Sequence, residues 1–279
     1  EGPLFKKDKN EPSNTAFLFS VRRSYLQFLF ELLDLPIRPD YWDYQWKISH
    51  KIDKYNSLIF LGLGSIDDFS LRSPKNFDPE IQASIEQAPI IKQRTITLGL
   101  SWKKKYKDEN GLMTTSLSTN KLENIFSRYE DNVSESDLLF KNDSYEWESK
   151  IRFKSIRYYN NWKTALGVNI QNSNYYNETR SLLYSVDYGT KINFWKFGFY
   201  GRAEKSLLKN RLDFSFGFRM DSDSFSIGSS LTDNFSPRLS FSYKLTADNK
   251  FKWNLSIGRY YKIPIYTILG FQDTNGNYI

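Results

Sequence analysis

The chain has 279 residues, with 39 Lys and Arg and 32 Asp and Glu, so its formal net charge is +7. Because the two signs are intermixed along the chain, the charges favour solvated surfaces over a nucleic-acid partner. No stretch approaches the roughly 18–20 unbroken apolar residues of a membrane-spanning helix, so helical spans are excluded. With no cysteine and a single histidine, His50, the sequence also excludes disulfides and metal or haem sites built on clusters of Cys and His.

Strand-like segments follow one another along the whole chain. They are rich in aromatic and β-branched residues, and several alternate apolar with polar side chains. In chain order we predict strands at 16–30, 43–53, 57–69, 91–105, 111–127, 146–158, 162–173, 191–206, 211–222, 236–246 and 250–263.

The connections between these strands alternate between short and long. The short ones have the composition of tight turns, as in Asn110-Gly111. They lie at 53–56, 107–111, 159–161, 208–210 and 247–250, and the long ones lie at about 31–42, 70–90, 129–144, 173–190 and 222–235. An antiparallel up-and-down sheet with short turns at one rim and long loops at the other is typical of a transmembrane β-barrel of the outer membrane.

The alternation also assigns a face to each side chain. Between residues 212 and 219 every even position is large and apolar, and the odd positions are Asp, Ser, Gly and Arg. Because successive side chains of a strand point to opposite faces, one face is apolar and the other is polar. The polar neighbours are predicted to line a wide lumen, and the predicted lipid-facing residues include Phe214, Phe216, Phe218, Phe241 and Leu255.

Aromatic residues make up 17% of the chain. Several lie within a few residues of the short turns, and Tyr and Trp prefer the membrane–water interface. They predict an aromatic girdle at the short-turn rim, composed of Tyr55, Trp102, Tyr106, Tyr158, Tyr159, Trp162 and Trp253.

Four segments resemble barrel strands of TonB-dependent outer-membrane receptors and occur in similar order in that family. They contain Arg22-Arg23-Ser24-Tyr25-Leu26, Gly217-Phe218-Arg219-Met220-Asp221, Ser236-Pro237-Arg238-Leu239-Ser240-Phe241-Ser242-Tyr243 and Gly258-Arg259-Tyr260-Tyr261-Lys262-Ile263-Pro264. The resemblance implies a barrel of about 22 strands that is filled by an N-terminal plug domain. The strands predicted here number about half of that, and no plug, TonB box or closing strand is recognised. We therefore expect residues 1–279 to be an internal piece of the barrel.

The same resemblance implies a function and a set of partners. The parent protein would bind a large or scarce ligand and import it across the bacterial outer membrane, with energy that TonB delivers from the inner membrane to the plug. The implied partners are outer-membrane lipid, TonB, the imported ligand and, at the surface, a lipoprotein. No cofactor is implied, and siderophore, cobalamin, oligosaccharide and peptide all stay open as ligands.

In such a receptor the ligand meets the long loops and the inward-facing residues near them. Arg and Tyr suit the recognition of polar ligands through forked hydrogen bonds and stacking. Alternatively, the Arg and Asp side chains pair with one another and with the plug. The candidate ligand-binding residues are Arg219, Asp221, Arg238 and Arg259, with Tyr175, Tyr176 and Tyr260 nearby.

Neither catalysis nor a metal site is predicted. Asp67 and Asp68 are adjacent in a strand, so their carboxylates point to opposite faces and cannot act on one substrate. Oxygen ligands for calcium occur in Asp221-Ser222-Asp223 and in Asp273-Thr274-Asn275-Gly276-Asn277. The second segment lacks the later Glu and the glycine placement of a calcium loop, so a loop tip is favoured.

Two other kinds of protein stay open as alternatives. One is an outer-membrane barrel without a plug, such as a porin-like channel or a lipid transporter. The other is a secreted soluble β-sheet protein, for example a carbohydrate-binding module. Its strands would be shorter than the predicted ones, because a mean strand of a soluble sheet has roughly 5–6 residues.

Overall fold

The computed structural model describes residues 1–4, 13–73, 78–182, 185–226, 228, 230–246, 250–272 and 278. Within these residues, twelve antiparallel strands form a single sheet in which spatial order follows chain order. Strands β1 to β12 are Gly2–Leu4, Thr15–Arg23, Ile37–Lys51, Asn56–Leu71, Ile90–Lys105, Gly111–Asp131, Ser136–Tyr159, Trp162–Ser181, Val186–Leu207, Leu212–Asp223, Ser236–Lys244 and Lys252–Gly258. Three short helices accompany them, namely α1 (Leu26–Leu32), α2 (Pro79–Gln87) and α3 (Tyr266–Leu269). The all-β, up-and-down architecture is thus confirmed.

Several predicted boundaries are wrong. The first predicted strand continues to residue 30, but β2 ends at Arg23 and α1 begins at Leu26. The reason is that Leu, Gln and Glu, which make up most of α1, are good helix formers. In addition, a short apolar run does not show whether its apolar residues follow the spacing of a helix or of a strand. The last predicted strand is also too long, because β12 ends at Gly258. The short strand β1, which pairs with β2, was not predicted.

Two of the predicted long loops are instead continuations of strands. Strand replaces most of the predicted loops at 129–144 and 173–190, because β6 continues to Asp131 and β7 begins at Ser136, and β8 continues to Ser181 and β9 begins at Val186. Strand β7 has 24 residues, whereas a tilted membrane strand needs only about 9–11. Polar residues occupy both faces of these tall hairpins, so the apolar alternation that marks a strand is missing there. The predicted turn residues 247–249 and loop tip 273–277 lie outside the described residues.

The pairing register divides the sheet into two faces, because directly opposed residues of antiparallel strands share a face. Phe214 lies opposite Phe241, which in turn lies opposite Leu255. Phe216 and Phe218 have the same parity, so all five residues predicted to face lipid share one side, called here the apolar face. Exposed members on other strands are Phe60, Leu98, Leu100, Leu117, Ile151, Phe153, Leu166, Val168 and Phe197. The opposite side, called the polar face, carries their polar neighbours.

No helix among the described residues is both long and apolar enough to cross a membrane.

Aromatic residues form two rows on the apolar face. Five of the seven predicted girdle residues lie in the row at the short turns, whereas Tyr158 faces the other side and Tyr55 lies in a turn. The short-turn row contains Trp102, Tyr106, Tyr159, Trp162 and Trp253. A second row lies toward the tall hairpins and contains Tyr145, Trp147, Tyr176 and Trp195. Two aromatic rows that flank an apolar band are the arrangement of a membrane barrel.

Helix α2 packs beside the tip of the β6–β7 hairpin and is held there by the side-chain amide of Asn132. The Asn132 side chain is 2% exposed. It donates hydrogen bonds to the carbonyl oxygens of Ile85, Glu86 and Ala88 at 2.8, 3.1 and 3.0 Å, and accepts one from the Tyr129 N–H at 2.7 Å. These bonds satisfy carbonyls at the helix C-terminus that have no partner within the helix. A small core of Leu71, Ile85 and Ile90 lies beside them.

Replacing Phe216 by Arg is expected to lower the free energy of unfolding from lipid vesicles by roughly 2–4 kcal/mol, as for a cation near the bilayer midplane. Ser240→Arg, on the polar face of the adjacent strand, is the matched control and should have a much smaller effect. Equal stability of the two variants, measured by chemical denaturation of the intact protein in vesicles, would contradict the assignment of the faces.

Asn132→Ala is expected to loosen α2 locally by about 1–3 kcal/mol, because it removes four hydrogen bonds and leaves buried carbonyls without a donor. Amide hydrogen exchange of residues 79–87 should become faster, with little change in the strand centres. Asn124→Ala removes a half-buried amide of the same strand pair, which accepts a hydrogen bond from Gln93 at 2.9 Å, and should leave that exchange unchanged. The assigned role of Asn132 would be wrong if both variants behave alike.

Candidate functional site: a cavity on the polar face

A cavity of about 590 Å³ lies on the polar face, between strands β8 to β11 and the chain that follows β12. Strands supply its wall because their inward-facing residues lie in register across the sheet. Its polar lining includes Asn169, Gln171, Lys196, Arg219, Asp221, Asp223, Asn234, Arg238 and Lys262. Roughly 300–1,000 Å³ is the usual volume of small-molecule sites.

Arg219 and Asp221 form a bidentate ion pair on one side of the cavity. The Nε and Nη2 atoms of Arg219 donate to the two carboxylate oxygens of Asp221 at 2.6 and 2.7 Å. Gly198 lies opposite Asp221 on β9, and a Cβ atom at that position would be 2.7 Å from the Asp221 carboxylate. Glycine therefore leaves the space in which this planar pair lies against β9.

Arg238 is differently placed. Its guanidinium lies over the ring of Tyr260, 4.6 Å from the ring centroid, and the residue is exposed. In the part of the chain that the structure describes, no carboxylate is recorded within ion-pair distance of this guanidinium. Stacking on an aromatic ring orients an arginine without using its five N–H donors.

Residues 259–272, called here the closing segment, fold back over the polar face and bring Tyr266 into contact with β7, β8 and β9. The Tyr266 hydroxyl accepts a hydrogen bond from Lys196 Nζ at 2.6 Å, lies 3.1 Å from Ser173 Oγ and donates to the Glu148 carboxylate. Its ring packs in an apolar cluster with Tyr175, Phe194 and other residues. Burial, followed by the hydrogen bond to Glu148, raises the pKa of the Tyr266 phenol, so the hydroxyl keeps its proton well above neutral pH.

The family model for the β-barrel of TonB-dependent receptor-like proteins matches residues 26–278. The chain belongs to the TonB-dependent receptor β-barrel family.

Solved structures of such receptors share the fold. The copper transporter OprC is 12% identical with a TM-score of 0.65, and the match covers 92% of this chain and 42% of that chain. The ferric enterobactin receptor PfeA from Pseudomonas aeruginosa is 13% identical with a TM-score of 0.65, and the match covers 96% of this chain and 41% of that chain. The chain therefore spans about two fifths of the length of these structures. The comparison with curated proteins finds no match.

The receptor barrel brings together three of the seven predicted ligand-binding residues. Arg219, Asp221 and Arg238 line the cavity. The pairing of Arg219 with Asp221 agrees with the alternative in which these side chains satisfy each other. Tyr260 contributes through its contact with Arg238, whereas Arg259 lies over the ring of Tyr261 at 4.5 Å.

The two remaining predicted residues, Tyr175 and Tyr176, lie on opposite faces of the receptor barrel because they are neighbours in strand β8. Tyr175 faces the polar side but is only 4% exposed, beneath Tyr266. Tyr176 is on the apolar face, where it stacks on Tyr145 with 5.4 Å between ring centroids. The structure therefore does not group Tyr176 with the cavity residues.

Two cavity residues, and Tyr266, which contacts the cavity residues Gln171 and Lys196, are not among the predicted ligand-binding residues. Lys196 and Asp223 lie opposite each other on β9 and β10, and alternation along the two strands would have been enough to find them. Tyr266 had no such signal, because its partner Glu148 is 118 residues away in the sequence and the closing segment was predicted in part as strand.

Tyr266→Phe is expected to weaken the attachment of the closing segment by about 1–3 kcal/mol, since the ring still packs but the hydroxyl network is lost. Amide exchange of residues 266–270 in the intact receptor should accelerate. The exposed Tyr261 of the same segment offers a matched Tyr→Phe control that should not change exchange. Unchanged exchange in Tyr266→Phe would show that apolar packing alone holds the segment.

Proposed function

We propose that the intact protein resides in the outer membrane of a Gram-negative bacterium and imports a negatively charged ligand with energy delivered by TonB. In this proposal residues 1–279 supply part of the barrel wall, and a plug domain outside them receives TonB. Membership of the receptor family supports the transport class. The charge of the polar-face cavity supports the choice of ligand.

The cavity carries more positive than negative charge. Four cationic side chains line it (Lys196, Arg219, Arg238 and Lys262), against the two carboxylates of Asp221 and Asp223. Asp221 is already paired with Arg219, and the Asp223 carboxylate accepts hydrogen bonds from the N–H groups of Phe225 and Ser226 at 3.0 and 2.7 Å. Arg238 is thus the cation best placed to meet an incoming anion through a forked hydrogen bond.

The solved structures of similar fold suggest which ligands to try. OprC is described as a copper transporter, and PfeA has been solved in complex with enterobactin. FauA from Bordetella pertussis, a receptor for alcaligin, matches 75% of this chain and 34% of its own with a TM-score of 0.53 at 9% identity. We therefore propose a metal chelate with acidic or phenolic groups as the ligand class.

Import can be tested in Gram-negative cells that express the intact receptor, with and without TonB. Radioactive iron supplied as ferric enterobactin, a negatively charged chelate, is the probe, and radioactive copper ion is the cationic comparison. We expect cell-associated iron to rise in a TonB-dependent way and cell-associated copper to stay unchanged. Uptake of iron that persists without TonB would instead favour the plug-less channel. Uptake of copper alone, or no receptor-dependent uptake of iron, would contradict the proposed ligand class.

The role of the cavity is tested by Arg238→Gln, which removes the positive charge and the forked donor pair and leaves a shorter, neutral amide. Affinity for the transported probe should fall about 10–100-fold, which corresponds to roughly 1.5–3 kcal/mol for a hydrogen bond to a charged group. Arg202→Gln is the control, because Arg202 is on the polar face nearer the short turns and bonds to Ser215 at 3.0 Å. Equal loss in both variants would point to overall charge rather than to this cavity.

A further inference from the structure

A trough in the apolar face has the form of a lipid-binding site. It crosses strands β4 to β9, has a volume of about 370 Å³, and is bordered by Phe60, Leu98, Leu117, Ile151, Ile170 and Trp195. The trough exists because Thr119 and Ser149 are small and lie opposite each other in the register, between larger side chains on neighbouring rows. It is continuous with the apolar band that faces the membrane, so hydrocarbon chains are what it meets there.

One end of the trough adjoins a ring of three amides. Asn172 donates to Asn193 at 3.0 Å, Asn193 donates to Asn174, and Asn174 donates to Asn172 at 2.7 Å, which closes the ring. Each amide has two N–H donors and two acceptor lone pairs, so the ring uses one donor of each and leaves the other available. Asn172 lines the trough as well, so the trough and the ring form one continuous surface.

Two indole rings flank this surface. Trp147 and Trp195 are each 47% exposed and belong to the aromatic row toward the tall hairpins. Trp147 lies beside Asn174 in the register, and Trp195 beside Asn172. The Trp147 Nε1–H donates to Thr119 Oγ1 at 2.8 Å, which holds the indole at the edge of the trough. Apolar ring faces beside amide donors and acceptors suit a ligand that is neutral, flat and rich in hydroxyl groups.

The groups between the trough and the far side of the amide ring are neutral. Lys121 is the cation that follows Thr119 on the same face, and it is paired with Glu123 and lies over the Tyr145 ring, 5.5 Å from its centroid. Lys191 is exposed on the same face two residues beyond Asn193, on the side of the amide ring that is away from the trough. The groups that adjoin the trough directly are therefore amides and hydroxyls. We propose that this surface binds one glycolipid, with an acyl chain in the trough and the sugar headgroup against the amide ring and the two indoles. The proposal rests on the membrane setting of the proposed function but not on the imported ligand.

The test uses the intact receptor in phospholipid nanodiscs that contain equal amounts of glucosyl-diacylglycerol and phosphatidylglycerol with the same acyl chains. Native mass spectrometry then reports which lipid stays bound after release from the disc. We expect one retained glycolipid and at least about fivefold less phosphatidylglycerol. Lipid retention is measured without transport. A negative lipid result therefore does not bear on the TonB-dependent uptake experiment, and a negative uptake result does not bear on lipid binding.

Three variants locate the site. Thr119→Leu fills the trough and should lower glycolipid retention about tenfold, whereas Thr115→Leu, on the same face of the same strand but outside the trough, should not change it. Asn193→Ala opens the amide ring without touching the trough lining and should lower the preference for glycolipid over phosphatidylglycerol. The heat-dependent gel mobility of each variant checks that the barrel has folded.

Retention of both lipids in equal amounts would overturn the headgroup assignment. No retained lipid, or retention that Thr119→Leu leaves unchanged in a folded barrel, would overturn the site. A receptor dimer that Thr119→Leu dissociates would show that the trough is occupied by a second copy of the protein, which also overturns the proposal.

Discussion

The ladder of backbone hydrogen bonds between neighbouring strands is the constraint on which the rest of this structure depends. In a bilayer no water replaces a missing partner, so each amide in the spanning region has to pair with the next strand. The register that results decides which side chains meet lipid and which meet the lumen. Between β6 and β7 that register shifts at Arg128 and Tyr129, near the tip of a tall hairpin and away from the apolar band. There a local irregularity costs little, because water is available.

Much of the barrel could be predicted from sequence because alternation is a local signal. The spacing of Phe214, Phe216 and Phe218 is enough to predict that they share one face of the sheet. The pairing register then extends that assignment to Phe241 and Leu255. The alternation of apolar and polar residues disappears where water contacts both faces of a strand. Strand β8 therefore continues through Asn177 and Thr179 although the sequence suggested a loop.

The candidate site was only partly predictable for a related reason. Arg219, Asp221 and Arg238 could be placed on one face from the sequence because they occur in strands with clear alternation. The closing segment is different, since Tyr266 reaches Glu148 and Lys196 through tertiary folding and not through a pattern in its own residues. Tyr175 and Tyr176 are neighbours in the sequence, but a strand necessarily places adjacent side chains on opposite faces and so in two different environments.

Strand β8 connects the two surfaces for which binding is proposed. Gln171, Ser173 and Tyr175 face the polar side, where they contact Tyr266 or its hydrogen-bonding partners, and Asn172 and Asn174 face outward in the amide ring. A slip of one residue would exchange these two sets, placing the amides in the cavity and a buried tyrosine against lipid. Both neighbouring strands pair with β8 along its whole length, and this pairing opposes such a slip. The same backbone ladder therefore holds the inward hydrogen-bond network and the outward amide ring in place, although the two face different solvents.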